Sequence, residues 1–313
     1  WQDGQLGFVH AVSTPYRNKR SHFDGQDLLE AGVADLATGN ARDGWLNRMM
    51  GAVPGMTMDS AYAIGGDALT ILDGSFPVNR WSPDVDLALT PQAIRLAELV
   101  MQDDPVMAAS LAEAFKLATA DGDPIAVQGG MDEMMSMVAQ DQAASRKSGY
   151  ENRLAKFAAG RLKQDARIAS FSLNGWDTHA AQDRQLGRSF STLSDVVLTL
   201  KSELEEAVWN NTAIVAVTEF GRTARLNGTN GTDHGTGGAM ILAGGAIRGG
   251  RVYADWPGLS DANLFQGRDL TPTRDLRAYA GWLMHGLFGL QSSTIEREIF
   301  PQLDLGVDPG LLL

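Results

Sequence analysis

The stretch AIVAVTEFGRT (213–223) is apolar over its first five positions and then turns abruptly polar. An unbroken apolar run rich in Ile and Val predicts a strand covered on both faces, the pattern of a parallel sheet. Upstream, ARIASFSL (166–173) is a second short apolar run, and it leads into NGWDTH (174–179). Between the two, residues 183–208 carry Leu186, Phe190, Leu193, Val196, Val197, Leu200, Leu204 and Val208 at helical spacing. Strand, helix and strand in this order predict a right-handed parallel βαβ unit, with GWDTH and TEFGRT at the same edge of one sheet. Open α/β sheets bind ligands beyond the carboxyl ends of their strands, so both loops are expected to face a crevice. The next apolar run, AMILAGGAI (239–247), follows the loop NGTDHGTGG (230–238). That loop is expected to fold back over the same crevice, its glycines letting the backbone come close to a ligand.

Working outward, residues 5–12 read as a strand. SHFDGQDLLEAG (21–32) reads as a helix entered through Ser21 and closed by Gly32. Residues 41–165 are expected to form a mainly helical insertion. Within it, ARDGWLNRMMG predicts a short helix, YAIGGDALTILDG a strand and turn, and 91–119 and 131–164 longer helices. The methionines of this region read as flexible core filler. A chain of 313 residues without a linker-like tract is expected to form one α/β domain over 1–313.

A net charge of -12 argues against nucleic acid or an anionic membrane surface as partner. The absence of cysteine excludes disulfides, thiolate metal sites and cysteine nucleophiles. No run reaches the roughly 20 apolar residues of a spanning helix, so no membrane span is expected. The chain starts at Trp1, close to a strand-like run, which predicts that an upstream piece has been removed or is missing from this sequence.

There are five histidines: His10, His22, His179, His234 and His285. Three stand within two residues of an acid, as His22 with Asp24, His179 with Asp177, and His234 with Asp233. With Glu219 they make a set of oxygen and imidazole donors suited to Zn²⁺ or Mn²⁺. Each fragment also has a plain reading: DTH as an Asx turn, and Glu219 as the ion-pair partner of Arg222 or Arg225. Their joint position at strand ends favours the metal. His10 reads as a strand residue in the core, and His285, within YAGWLMHGLFGL, as a packed helix residue.

Taken together, SHFDGQDLLEAG, DGWLNRMM, GWDTH, VTEFGRT, NGTDHGTGGAMILAGGAIRGG and TRDLRAYAGWL resemble the bacterial DUF1501 family of exported proteins with twin-arginine signals, which is similar to the alkaline phosphatase and sulfatase superfamily. The resemblance implies a three-layer α/β/α sandwich around a mostly parallel central sheet. It also implies a periplasmic or secreted location and one or two divalent metals, Zn foremost, with Mn, Ca or Mg as alternatives. Asp177, His179, Glu219, Asp233 and His234 would be the metal ligands. Ser21 would stand where the nucleophile stands at a helix start, and also reads as a plain N-cap. His22 would be a general acid or outer ligand, and Arg17, Lys19, Arg20 and Arg222 would hold substrate oxygens.

Asp177 and His179 are spaced by two where the superfamily commonly has four, and Phe220 stands where it has an imidazole. Family members also carry, upstream of the matched region, a strand ending in a Gly-Gly-x-Asp-Gly-type motif, which makes a cleaved N-terminal segment an expected partner. The function this implies is hydrolysis of a phosphate or sulfate ester, on a small anionic substrate or a phosphorylated or sulfated glycan. A related metal hydrolase, acting on phosphonates or carbohydrate-linked groups, is a further alternative. A non-catalytic exported protein that binds a glycan or protein partner on the same scaffold is the alternative of another class.

Overall fold

In a computed structural model, residues 1–17, 21–37, 43–67, 69–83 and 149–313 are described. The expected helix over 91–119 and residues 131–148 of the next one lie outside them, as do Lys19 and Arg20.

Two sheets organise the described residues. The first is built on β1 (Leu6–Ser13), which pairs antiparallel with β6 (Gly238–Ala243) and parallel with the short strands β7 (Val252–Tyr253) and β8 (Arg274–Asp275). On its other side β6 pairs antiparallel with β5 (Ile214–Ala216). The second sheet is parallel throughout, with β2 (Ala61–Ile64) between β3 (Asn79–Trp81) and β4 (Ile168–Ser170). The protein is therefore a mixed α/β structure with one mostly antiparallel sheet and one parallel sheet.

This corrects the parallel βαβ reading, because β4 and β5 fall in different sheets. AIVAV is a strand, yet Val215 is 38% exposed. Apolar side chains at every position fix extended backbone without fixing the partner. Here the partner is β6, in the register Ile214↔Ala243, Val215↔Leu242 and Ala216↔Ile241. Among the described residues β5 pairs on one side only, and so does β4.

Helix α1 (His22–Ala31) matches its sequence signals at both ends. Ser21 sits at the N-cap position with extended backbone, and Gly32 closes the helix in the left-handed conformation at φ 64°. The ring of Phe300 lies 2.9 Å from where a Cβ on Gly32 would stand, so this position tolerates no side chain on either count. Helix α2 (Trp45–Ala52) buries Met49 and Met50 with Ile295, Ile299 and Phe300. The described part of 41–165 adds strands β2 and β3 as well as helix α3 (Tyr150–Leu162).

Helix α4 (Gln182–Glu203) buries Leu193, Val196 and Leu200 of the apolar stripe read from the sequence, with Val196 and Leu200 packed with Leu154, Phe157 and Ala158 of α3, while Leu204 is its C-cap and Val208 lies beyond its end. Ile214 of β5 packs against this same cluster, which also holds Tyr62 and Ile64 of β2. Elements of both sheets therefore share one helical cover, and the loops that leave β4 and β5 can meet. Helix α5 (Leu276–Phe288) is capped by Asp275, whose side chain accepts from Arg277 N, and it buries Leu276, Tyr279 and Leu283 against β1 and β6. His285 is packed as expected, with Nδ1 2.7 Å from Leu290 O. His10 lies on β1 with its ring edge-on to Trp256 at 5.0 Å. Among the described residues no helix is long and apolar enough to cross a membrane.

Candidate metal centre

Three loops and one helix start converge. Segment 217–223, after β5, lies beside 230–237, joined by Thr223 N→Asp233 O at 2.9 Å, Gly235 N→Gly221 O at 2.8 Å and Gly221 N→Thr236 O at 3.0 Å. Thr232 N→Thr178 O at 3.0 Å adds the loop after β4. Gly231 is what lets this second contact form, because a Cβ there would stand 2.1 Å from the backbone carbon of His179. The Gly-rich composition of NGTDHGTGG thus serves close backbone packing, which holds Asp233 and His234 against DTH.

From the other side, α1 brings His22 onto Phe220 and Glu219. A Cβ on Gly25, one turn into the helix, would lie 3.1 Å from the Phe220 ring and 3.3 Å from Glu219 Cγ. The rings of His22 and His234 both pack on Phe220, at 5.0 and 4.8 Å between centroids, and stand edge-on to one another at 4.4 Å. Phe220, expected as a missing imidazole, is the apolar floor that orients two others.

Asp177, His179, Glu219, Asp233 and His234, the residues expected as ligands, gather in this one place with His22. Asp177 is the hub: its Oδ1 is 2.9 Å from His179 Nε2 and 3.0 Å from His234 Nε2, and its Oδ2 is 3.2 Å from His22 Nε2. The Arg222 guanidinium also bonds to Oδ1. The two Nε2 atoms of His179 and His234 are 3.0 Å apart, and His179 Nδ1 is 3.4 Å from Asp233 Oδ1. Glu219 reaches the group through His22, with Oε1 2.5 Å from Nδ1, while its Oε2 accepts from Thr218 Oγ1 at 2.7 Å.

The partners differ from those read locally. Asp24 lies 3.5 Å from the Tyr16 hydroxyl, and His22 has Glu219 and Asp177 instead. Arg222 bonds Asp177 and Arg225 bonds Asp261, while Glu219 bonds His22. Arg222 directs Nε and Nη2 to the side chain and carbonyl of Thr232, so it ties the loops around Asp177 rather than pointing outward. Arg17 bonds to Ser13 Oγ, Thr14 O and Tyr16 O. The Ser21 side chain makes no capping hydrogen bond, leaving the first-turn N–H groups of α1 without one from it.

Two supporting residues carried no signal of their own in the sequence. Asn227 Nδ2 bonds both His179 O and Asp233 Oδ1, at 3.0 and 3.1 Å, and Arg268 Nη2 bonds His234 O at 2.6 Å. An Asn in a Gly- and Thr-rich turn has a ready local explanation, and Arg268 is 34 residues from its partner.

The electrostatics follow the contacts. Burial pushes the Asp177 carboxyl up, but Arg222, His22 and His179 outweigh it and hold it at about 2. Burial pulls His22 down, and its hydrogen bond to Glu219 and the nearby Asp177 carboxylate more than reverse this, leaving it raised. Asp233 is lowered, first by the Asn227 hydrogen bond and then by His179.

His22, Asp177 and His234 each offer a ligand atom within 4.8 Å of the other two, so they could hold a metal ion. The donors fit one. Zinc donors at about 2.1 Å in tetrahedral array stand about 3.4 Å apart, close to the spacings seen here. His22 Nε2 is moreover buried and makes no aligned hydrogen bond, which suits a nitrogen that faces a cation.

Fold and site define a mixed α/β protein with an imidazole and carboxylate cluster of metal-ligand character. The chain belongs to the DUF1501 family, described as proteins of unknown function, whose family model matches residues 10–285. No curated protein and no solved structure matches the chain.

Proposed function

We propose that the protein is a metal-dependent hydrolase of phosphate or sulfate esters. The observation that supports this most is the meeting of His22, Asp177 and His234 beside the N-terminus of α1. His22 is the first residue of that helix and Ser21 its N-cap, so a cation held there would lie near Ser21. Bound metal would supply positive charge that lowers the hydroxyl pKa and stabilises a developing oxyanion. Free N–H groups of the first helical turn would hold the anionic oxygens. Ser21 Oγ forms a bond to phosphorus or sulfur as the ester bond to the alcohol breaks, its proton passing to solvent. The departing oxygen takes a proton from His179, the most exposed of the three site imidazoles at 47%. Water then cleaves the seryl ester.

The reading extends to the finer expectations of the family resemblance: zinc as the metal, an exported protein, and a three-layer alkaline phosphatase-like plan. In that plan β4 and β5 would be joined through a further strand, for which an upstream segment is the proposed partner; their pairing on one side only among the described residues is compatible with it.

Turnover of aryl phosphates and aryl sulfates by zinc-loaded protein tests the function. Ser21→Ala should abolish turnover and keep the metal. Metal binding without turnover of any ester would instead favour the non-catalytic binder. The occupation of an imidazole position by Phe220, packed on His22 and His234, is the feature that favours that alternative.

A further inference from the structure

Glu219 is a strand-end acid expected among the ligands, yet its contacts give it different work. Oε1 is 2.5 Å from His22 Nδ1 and Oε2 is occupied by the Thr218 hydroxyl at 2.7 Å. Both carboxylate oxygens are thus engaged away from Asp177 and His234. An imidazole that donates from Nδ1 presents Nε2 as its lone-pair nitrogen. In His22 that Nε2 is the buried atom without an aligned hydrogen bond, 3.2 Å from Asp177 Oδ2. We infer that Glu219 is a positioning residue, which fixes His22 as the Nδ1–H tautomer so that Nε2 is the metal-binding nitrogen.

Three features hold the pair in register. Thr218 fixes the rotation of the carboxylate. The close approach of α1 at Gly25 sets the height of His22 above it. Phe220 supports the ring from beneath, at 5.0 Å. An imidazole hydrogen-bonded to a carboxylate is both oriented and made a better donor to metal, and loss of such a partner commonly costs about 10–100-fold in metal affinity.

This inference rests on the metal reading above, and the two can fail separately. Long-range ¹H–¹⁵N NMR of metal-free protein at alkaline pH reads the tautomer of His22, and competition with a chromogenic chelator reads the affinity for Zn²⁺. In the wild type His22 should be protonated at Nδ1, and in Glu219→Ala it should drift to the mixture of free imidazole. Zn²⁺ affinity should fall about 10–100-fold in Glu219→Ala. Glu219→Gln, which keeps an acceptor oxygen and the shape of the side chain, should recover most of the loss and guards against misfolding of the alanine variant. Wild-type His22 protonated at Nε2 would overturn the inference. So would Glu219→Ala protein that binds Zn²⁺ as tightly as the wild type. A wild type with no Zn²⁺ affinity would instead overturn the metal reading, and the metal role of Glu219 with it.

Discussion

His234 and His179 carry the same side chain, lie with Nε2 atoms 3.0 Å apart and share Asp177 Oδ1, yet they belong to different environments. His234 is 22% exposed, packs on Phe220 and His22, and has its carbonyl held by Arg268. His179 is 47% exposed, and its Nδ1 faces the 53% exposed Asp233, fixed in turn by Asn227 in a turn of the same loop. The inner region, with His22 and His234 on Phe220, is supported by a helix, a strand end and an apolar floor. The outer region, His179 with Asp233, is supported by loop residues alone, among them the side chains of Asn227 and Thr229. A donor's value to a metal depends on how firmly its neighbours hold it, and that separates these two regions more than residue type does.

The largest effect is expected on the inner side. Asp177→Ala and His234→Ala should each reduce bound metal below detection by plasma mass spectrometry, with the metal-free fold kept. His179→Ala should leave the metal bound with an affinity loss of about tenfold or less, the lower end of the range for supporting groups. Equal losses from His179→Ala and His234→Ala would erase the distinction between the regions.

Next comes the backbone that joins them. Gly231→Ala puts a Cβ 2.1 Å from the His179 backbone, so the two loops must separate. A stability loss of about 1–3 kcal/mol in urea denaturation is expected, as for other overpacked positions. A smaller loss would mean that the loops yield easily.

The smallest effect is electrostatic. Asp177 has a folded-state pKa depressed from 3.8 to about 2. A depressed acid contributes stability that is present above its unfolded pKa and lost as pH falls through the folded one. Chelator-treated wild type should therefore lose more stability than Asp177→Asn as pH falls from 3.8 to about 2. The carboxylate is 43% exposed, so solvent screening keeps the difference small. Parallel acid titrations followed by fluorescence would check it, and coincident curves would contradict it.

Much of this was legible in the sequence, in particular the elements themselves. Gly32 ended α1, the apolar stripe over 183–208 gave α4, which stops at Glu203, and the apolar run 239–247 gave β6. Sheet membership was not, because an apolar run such as AIVAV specifies extended backbone and leaves its neighbours open. The convergence of GWDTH, TEFGRT and NGTDHGTGG holds in the structure for a reason other than the expected one. Two sheets under a shared helical cover bring the loops together, where one parallel sheet was expected. The site's residue types were visible as acids beside histidines, and so was the pair Asp177 and His179, 2.9 Å apart, but the other pairings were not. The acid nearest His22 in sequence, Asp24, turns to Tyr16, and the one that holds it, Glu219, is 197 residues away. Local spacing informs where both partners sit on one segment, as Asp177 and His179 do, and His22 and Glu219 do not.

The central claim is that His22, Asp177 and His234 share one cation. Anomalous diffraction from crystals grown with zinc, with data on both sides of the zinc edge, measures this directly. The expected result is a peak within about 2.0–2.2 Å of His22 Nε2, an Asp177 oxygen and a His234 nitrogen. A zinc-saturated crystal with no peak among these three side chains, and Arg222 still bonded to Asp177, would contradict it.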